Sequence, residues 1–193
     1  VLRAEQGAWR IQSASAELPG ASTMTASGAV AFGEAGPGFA GPVTFASEDF
    51  QSFRRWLSGG EDVGSRLGEK ITLKGDVSAR LGAVQIQNAD LSVDGARSSG
   101  RLAWTSGEDG GRPRLDAQLV SDRLDLDALG MGRIAGGALA GGPLDLSLSL
   151  NAKTLVFGGV AMTGVAVEGL VGADGIELTR LAVADAEGAA LSG

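Results

Sequence analysis

The sequence predicts a mostly β protein made of repeated antiparallel strand units, with one short amphipathic helix near 47–57. Period-two alternation dominates the chain. In "KITLKGDVSARLG", residues 69–81, Ile71, Leu73, Gly75, Val77, Ala79 and Leu81 fall on one side, and Thr72, Lys74, Asp76, Ser78 and Arg80 on the other. A strand turns successive side chains to opposite faces, so this is a sheet with one apolar and one wet face. Turn-forming clusters such as "LPGAS", "GEAGPG", "GEDGGRP", "AGGP" and "GADG" separate the runs. Glycine supplies 32 of 193 residues and aromatics only 5%, which suits turns, bulges and close strand contacts and disfavours long helices.

The elements follow in order. "GAWRIQSASAEL" places Trp9 and Ile11 on one face. "MTASGAVAFG" and "PGFAGPVTFAS" carry Val30 and Phe32, then Phe39, Val43 and Phe45, in step. The period then changes: "SEDFQSFRRWLSGG" (47–60) spaces Phe50, Phe53 and Trp56/Leu57 as one helix face. Ser47 is the expected cap, Glu48 and Asp49 suit the positive end of the dipole, Arg54 and Arg55 suit the last turn, and Gly59 ends it. The four apolar residues are expected to pack on the end of the sheet. "EDVGSRLGE" (61–69) is expected to add a helical turn. "RPRLDAQLVSD" sets Leu115, Ala117 and Leu119 against Asp116 and Gln118, and "RLDLDALGMG" (123–132) reads as a strand end entering a short helical turn. "PLDLSLSLNAK" sets Leu144, Leu146, Leu148 and Leu150 against Asp145, Ser147, Ser149 and Asn151. The run 155–172 contains Glu168 and internal glycines, and reads as two short strands rather than a membrane span.

Two stretches follow the same course. In 82–104, Val84 and Ile86 are even while Leu91 and Val93 are odd; in 174–193, Ile176 and Leu178 are even while Leu181 and Val183 are odd. A phase change inside one apolar stretch predicts a bulge, and two copies of the unit suggest a sheet that lengthens by repetition.

Composition excludes several function classes. Net charge is −7 and only Arg54 and Arg55 are adjacent bases, so the basic stripe that neutralises phosphates is missing, no nucleic acid is expected as partner, and anionic membrane surfaces are disfavoured for the chain as a whole. With no Cys and no His, disulfides, thiol nucleophiles, His triads and the usual zinc sites are excluded. The acidic clusters "LDLDALG" and "GEDGG" lack the ligand order of an EF-hand or a calcium-binding β-roll, and read as solvated turns. Asp76, Asp90, Asp94, Asp116 and Asp145 lie on polar faces without an aromatic sugar platform, against glycosidase chemistry. "IAGGALAGGP" lacks the Lys-Ser/Thr of a phosphate loop. Lys74, Arg80 and Arg101 read as solvent-side charges that discourage stray edge pairing. The expectation is a non-enzyme with no catalytic residue, cofactor or metal. The residues leave two readings of the apolar face open: the filled core of a structural or adhesive β-repeat, or a groove for a ligand.

The pieces, in order, resemble the AsmA-type envelope proteins of Gram-negative bacteria, relatives of TamB. First comes "AELPGASTMTASGAVAFGEAGPGFAGPVTFASEDFQSFRRWLSG", then "LKGDVSARLGAVQIQNADLSVDGARSSGRLAW", then "RPRLDAQLVSDRLDLDALG", and last "LNAKTLVFGGVAMTGVAVEGLVGADGIELTRLAVADAEGAALSG". The resemblance covers nearly the whole chain and rests on the order of the pieces, not on one motif. It implies a curved, groove-like antiparallel sheet whose apolar inner face passes phospholipid or another acyl-chain lipid between membranes, in the service of outer-membrane biogenesis. It implies a periplasmic body, envelope protein partners and an inner-membrane tether, and no transferable catalytic set. Val1–Gly193 is then expected to be a single elongated module, a fragment of a longer chain, divisible into sub-repeats 1–68 and 69–193. The expected groove lining is Ile71, Leu73, Val77, Leu81, Leu115, Leu119, Leu144, Leu146, Leu148 and Leu150; the expected helix packing face is Phe50, Phe53, Trp56 and Leu57.

Overall fold

The computed structural model describes residues 2–5, 8–33, 36–60, 69–107, 111–125, 144–173, 175–186 and 189–192. Alternation has produced strands throughout: β1 (Leu2–Glu5), β2 (Ala8–Leu18), β3 (Ser22–Gly33), β4 (Gly36–Ser47), β5 (Ile71–Arg80), β6 (Ala83–Val93), β7 (Ala96–Thr105), β8 (Arg114–Asp125), β9 (Asp145–Phe157), β10 (Val160–Gly172), β11 (Gly175–Ala186) and β12 (Ala189–Ser192). Among the described residues one helix, α1 (Phe50–Leu57), lies between β4 and β5. Ten long strands and two four-residue edge strands form a single sheet in strict sequence order. β4 pairs β5 directly, so one ladder runs through the expected sub-repeat boundary. The mostly β, largely antiparallel fold with one short helix is as expected, but the sheet is open at both edges and not strongly curled, so the strongly curved groove that the resemblance implied is not the shape found.

Tight turns explain most of this order. Asp94-Gly95 joins β6 to β7 and Gly158-Gly159 joins β9 to β10, each pair with φ positive at both residues. That geometry matches strand twist, and it makes neighbours in sequence neighbours in the sheet. Asp94 also accepts a hydrogen bond at Oδ1 from the Lys70 backbone N–H, 2.8 Å, tying the start of β5 to that turn.

One pair departs from the expected meander. β8 and β9 run parallel, with Leu115 beside Leu146 and Leu119 beside Leu150. A parallel neighbour needs a connection of about a dozen residues or more, and residues 126–144 are long enough to supply it. Of the helical turns expected at 61–69 and 123–132, residues 61–68 and 126–132 lie outside the described residues. Arg123–Asp125 is the end of β8.

Both predicted phase changes are bulges. The β5–β6 and β6–β7 registers shift around Gln87 and Asn88, where Asn88 takes φ 50°. The β10–β11 register shifts between Glu168 and Gly169, opposite Thr179. A bulge lets an apolar side chain return to the same face after one extra residue.

α1 starts later than expected. Asp49, not Ser47, is the cap: its carboxylate accepts from the Ser52 N–H at 3.1 Å. Ser47 is committed elsewhere, ending β4 with its hydroxyl bonded to Ser22. At the other end Gly59 N–H donates to Trp56 O and Gly60 N–H to Arg55 O, with Gly59 at φ 72°. These two reversed bonds close the helix on a left-handed glycine.

Candidate functional site: an apolar sheet face

Ladder register brings one face together from every long strand. Reading across from β2 to β11, Trp9, Val30, Phe39, Ala79, Val84, Trp104, Leu115, Leu146, Val171 and Ile176 stand in one transverse row. The next row, Ile11, Gly28, Gly41, Val77, Ile86, Leu102, Ala117, Leu148, Gly169 and Leu178, is also free of polar side chains. Nine inter-strand steps of ~4.8 Å make each row about 43 Å long. Alternate residues such as Lys74, Asp76, Arg101, Gln118, Asn151 and Lys153 face the other way and are exposed.

Glycine keeps the second row flat. Gly28 and Gly41 lie opposite each other, and a methyl on either would overlap a backbone carbonyl of the facing strand. One row further on, Gly100 of β7, opposite Leu119, has φ 157° and the carbonyl of Gln118 where a methyl would go. No side chain fits at these points, so the backbones come close and the face has shallow places between its larger residues.

Burial is graded along the face. Its most closed part is on β8–β11, where Leu150 (2% exposed), Ala152, Leu155, Val165 and Val183 form one cluster with Leu119, Leu124, Leu148, Met162 and Val167 against it. Away from this cluster the face is open: Trp9, Met24, Phe32 and Trp104 (40%) on β2, β3 and β7, and Ile176, Leu178 and Leu181 on β11, are exposed. Among the described residues, every substantial contact between elements joins neighbours in the sheet, so no second layer stacks on either face.

Two polar pairs sit inside this face. Ser22 and Ser47 are buried with their hydroxyl oxygens 2.7 Å apart, and Ser98 and Ser121 likewise at 2.9 Å. Ser121 also donates to the Arg97 or Arg123 carbonyl, and both Ser22 and Ser47 reach Gly20 O. Each hydroxyl satisfies the other, which makes burial tolerable. Parity could have found them, since all four serines are in phase with the apolar residues of their strands.

The expected lining residues separate into groups. Ile71, Leu73 and Val77 share the face on β5, and Leu115, Leu119, Leu146, Leu148 and Leu150 share it on β8 and β9. Two strands stand between the groups, and Ile86, Leu91, Leu102 and Trp104 bridge them. Leu144 precedes β9, its carbonyl accepting from Arg112 Nη2 at 3.3 Å. Leu81 does not line the face: it is 81% exposed in the β5–β6 turn, because Gly82 at φ 72° reverses the chain there.

The helix face divides. Phe50 and Phe53 lie against Phe45 of β4, with ring centroids 6.3 and 4.8 Å away. Trp56 touches Phe53 at 5.9 Å but is 52% exposed, and Leu57 is 68% exposed. Only the first turn and a half reaches the sheet, so the expected burial of Trp56 and Leu57 is not realised.

The polar face carries ion pairs. Lys153 pairs with Asp122 at 2.6 Å, and Arg114 with Asp116 at 2.8 Å. The hydrogen bond from Arg114 holds the Asp116 carboxyl below its ordinary range, and that from Lys153 does the same for Asp122. Among the described residues no group of three or more acidic side chains is placed to hold a metal, and no helix is long and apolar enough to cross a membrane. Among the described residues, the fold and this face together define a single-layer β-sheet with one apolar side. Set against protein-family models, curated proteins and solved structures, the chain matches none of them.

Proposed function

We propose that this chain is a non-catalytic module of the bacterial periplasm whose apolar sheet face holds the acyl chains of phospholipid during transport between membranes or outer-membrane biogenesis. The observation that carries the reading is the pair of transverse rows, apolar in every strand from β2 to β11. A contiguous apolar surface of this length marks a binding site on a folded protein. Its ~43 Å run exceeds the hydrocarbon thickness of a bilayer, about 30 Å. Headgroups would lie at the strand ends and acyl chains across the strands. An inner-membrane tether and envelope protein partners belong to the same proposal, by resemblance to AsmA-type proteins.

Lipid extraction from the purified chain, followed by mass spectrometry, tests this. Phospholipid in a fixed ratio to protein supports the reading; none in repeated preparations from envelope-containing cells rejects it. A second reading, a structural or adhesive β-repeat with a filled core, is favoured by the near-complete burial of Leu150, Ala152 and Val165. It expects no lipid at all.

A further inference from the structure

The last turn of α1 touches the sheet only through Phe53. Trp56 and Leu57 are adjacent, outward and well over a third exposed, and they follow Arg54 and Arg55, the only adjacent basic pair in the chain. Arg54 Nη2 donates to Gln51 Oε1, and Arg55 is exposed. The acidic groups at the start of the helix are engaged: Glu48 pairs with Lys70 at 2.6 Å and Asp49 caps Ser52. An indole and a leucyl side chain beside two guanidinium groups match the boundary of a phospholipid bilayer, where rings settle at headgroup level and guanidinium forks meet phosphate.

The position of the helix adds a second argument. Rings run without a gap from Trp56 to Phe53 to Phe45, at centroid distances of 5.9 and 4.8 Å, and Phe45 belongs to the apolar face. An apolar path therefore leads from the helix tip onto the sheet. We propose that the tip of α1 docks on a phospholipid bilayer surface, Trp56 and Leu57 entering the interface and Arg54 and Arg55 meeting lipid phosphates. This rests on the lipid-binding reading of the sheet face and adds the point of contact with the membrane.

Flotation of the whole chain with vesicles of phosphatidylethanolamine and phosphatidylglycerol tests it. The double variant Trp56→Ser/Leu57→Ser should lose about tenfold or more in vesicle affinity, because interfacial binding scales with buried apolar area. Arg55→Gln should lose about fivefold. Arg55→Gln should keep the wild-type thermal melt, and the double variant should stay folded with a somewhat lower midpoint, because Trp56 still packs on Phe53 in the wild type. Both should also keep any lipid that co-purifies with the sheet. Wild type and the double variant floating equally would overturn the inference. So would a wild type that does not float while still carrying lipid, an outcome that leaves the sheet-face reading intact. Absence of co-purified lipid with normal, tip-dependent flotation would reject that reading and keep the docking site.

Discussion

Replacing Leu150 by alanine should remove more stability than any equally conservative change on the open side of the face. Leu150 is 2% exposed, beside Leu119 on β8 and Val167 on β10, with Ala152 two residues on. Ladder hydrogen bonds fix both neighbouring strands, so the backbone cannot close the hole, and the loss belongs in the upper part of the usual range, about 3–4 kcal/mol. Trp104→Ala removes a larger side chain, but one already 40% exposed, and should cost about 2 kcal/mol. Equilibrium urea unfolding followed by far-UV circular dichroism reads both. With a slope near 2–3 kcal/mol per molar, Leu150→Ala should lower the midpoint by more than about 1 M. A loss for Leu150→Ala no greater than for Trp104→Ala would refute the placement of the core on β8–β11.

Other outcomes follow from the same geometry. Gly100→Ala should sharply destabilise the sheet, because its methyl meets the Gln118 carbonyl, whereas Gly33→Ala, with nothing within 4 Å, should leave the melt unchanged. Ser121→Ala should cost about 1–3 kcal/mol by leaving the buried Ser98 hydroxyl without its partner, and the Ser98→Ala/Ser121→Ala double variant should cost less than the sum of the single changes in a double-mutant cycle. Acidification should fray α1. The hydrogen bond from Ser52 depresses the folded-state pKa of Asp49 below its unfolded value. The cap's contribution is therefore complete above the ordinary carboxylate range and disappears as pH falls through the lowered folded value. In a Trp9→Phe/Trp104→Phe background, Trp56 fluorescence should titrate there, and Asp49→Asn should abolish that titration.

Strands, turns and bulges were legible because each depends on a few adjacent residues. Alternation in 69–81 gave β5, and the parity changes after Ile86 and Leu178 gave two bulges. Features set by distant partners were not. The capping choice turned on Ser47 being bonded to Ser22, 25 residues away in sequence. The parallel β8–β9 pair depends on how a long connection returns, which no local pattern encodes. Trp56 and Leu57 have the spacing of a packed helix face, but spacing does not reveal how far the sheet extends beneath the helix. The site was half legible: the face of Ile71, Leu73 and Val77 and that of the leucines in β8 and β9 came from parity alone. Their union through Ile86 and Leu102 needed the register of four ladders.

Photo-crosslinking along β6 tests the lipid-bearing face most directly. A benzophenone amino acid placed in turn at Val84, Gln85, Ile86 and Gln87, the last at the start of the bulge, alternates between the apolar rows and the opposite face. After incubation with phosphatidylethanolamine/phosphatidylglycerol vesicles and illumination, mass spectrometry should find phospholipid adducts at 84 and 86 and none at 85 and 87. Adducts at none of the four positions, or equal yields at all four, would contradict an acyl-chain site on this face.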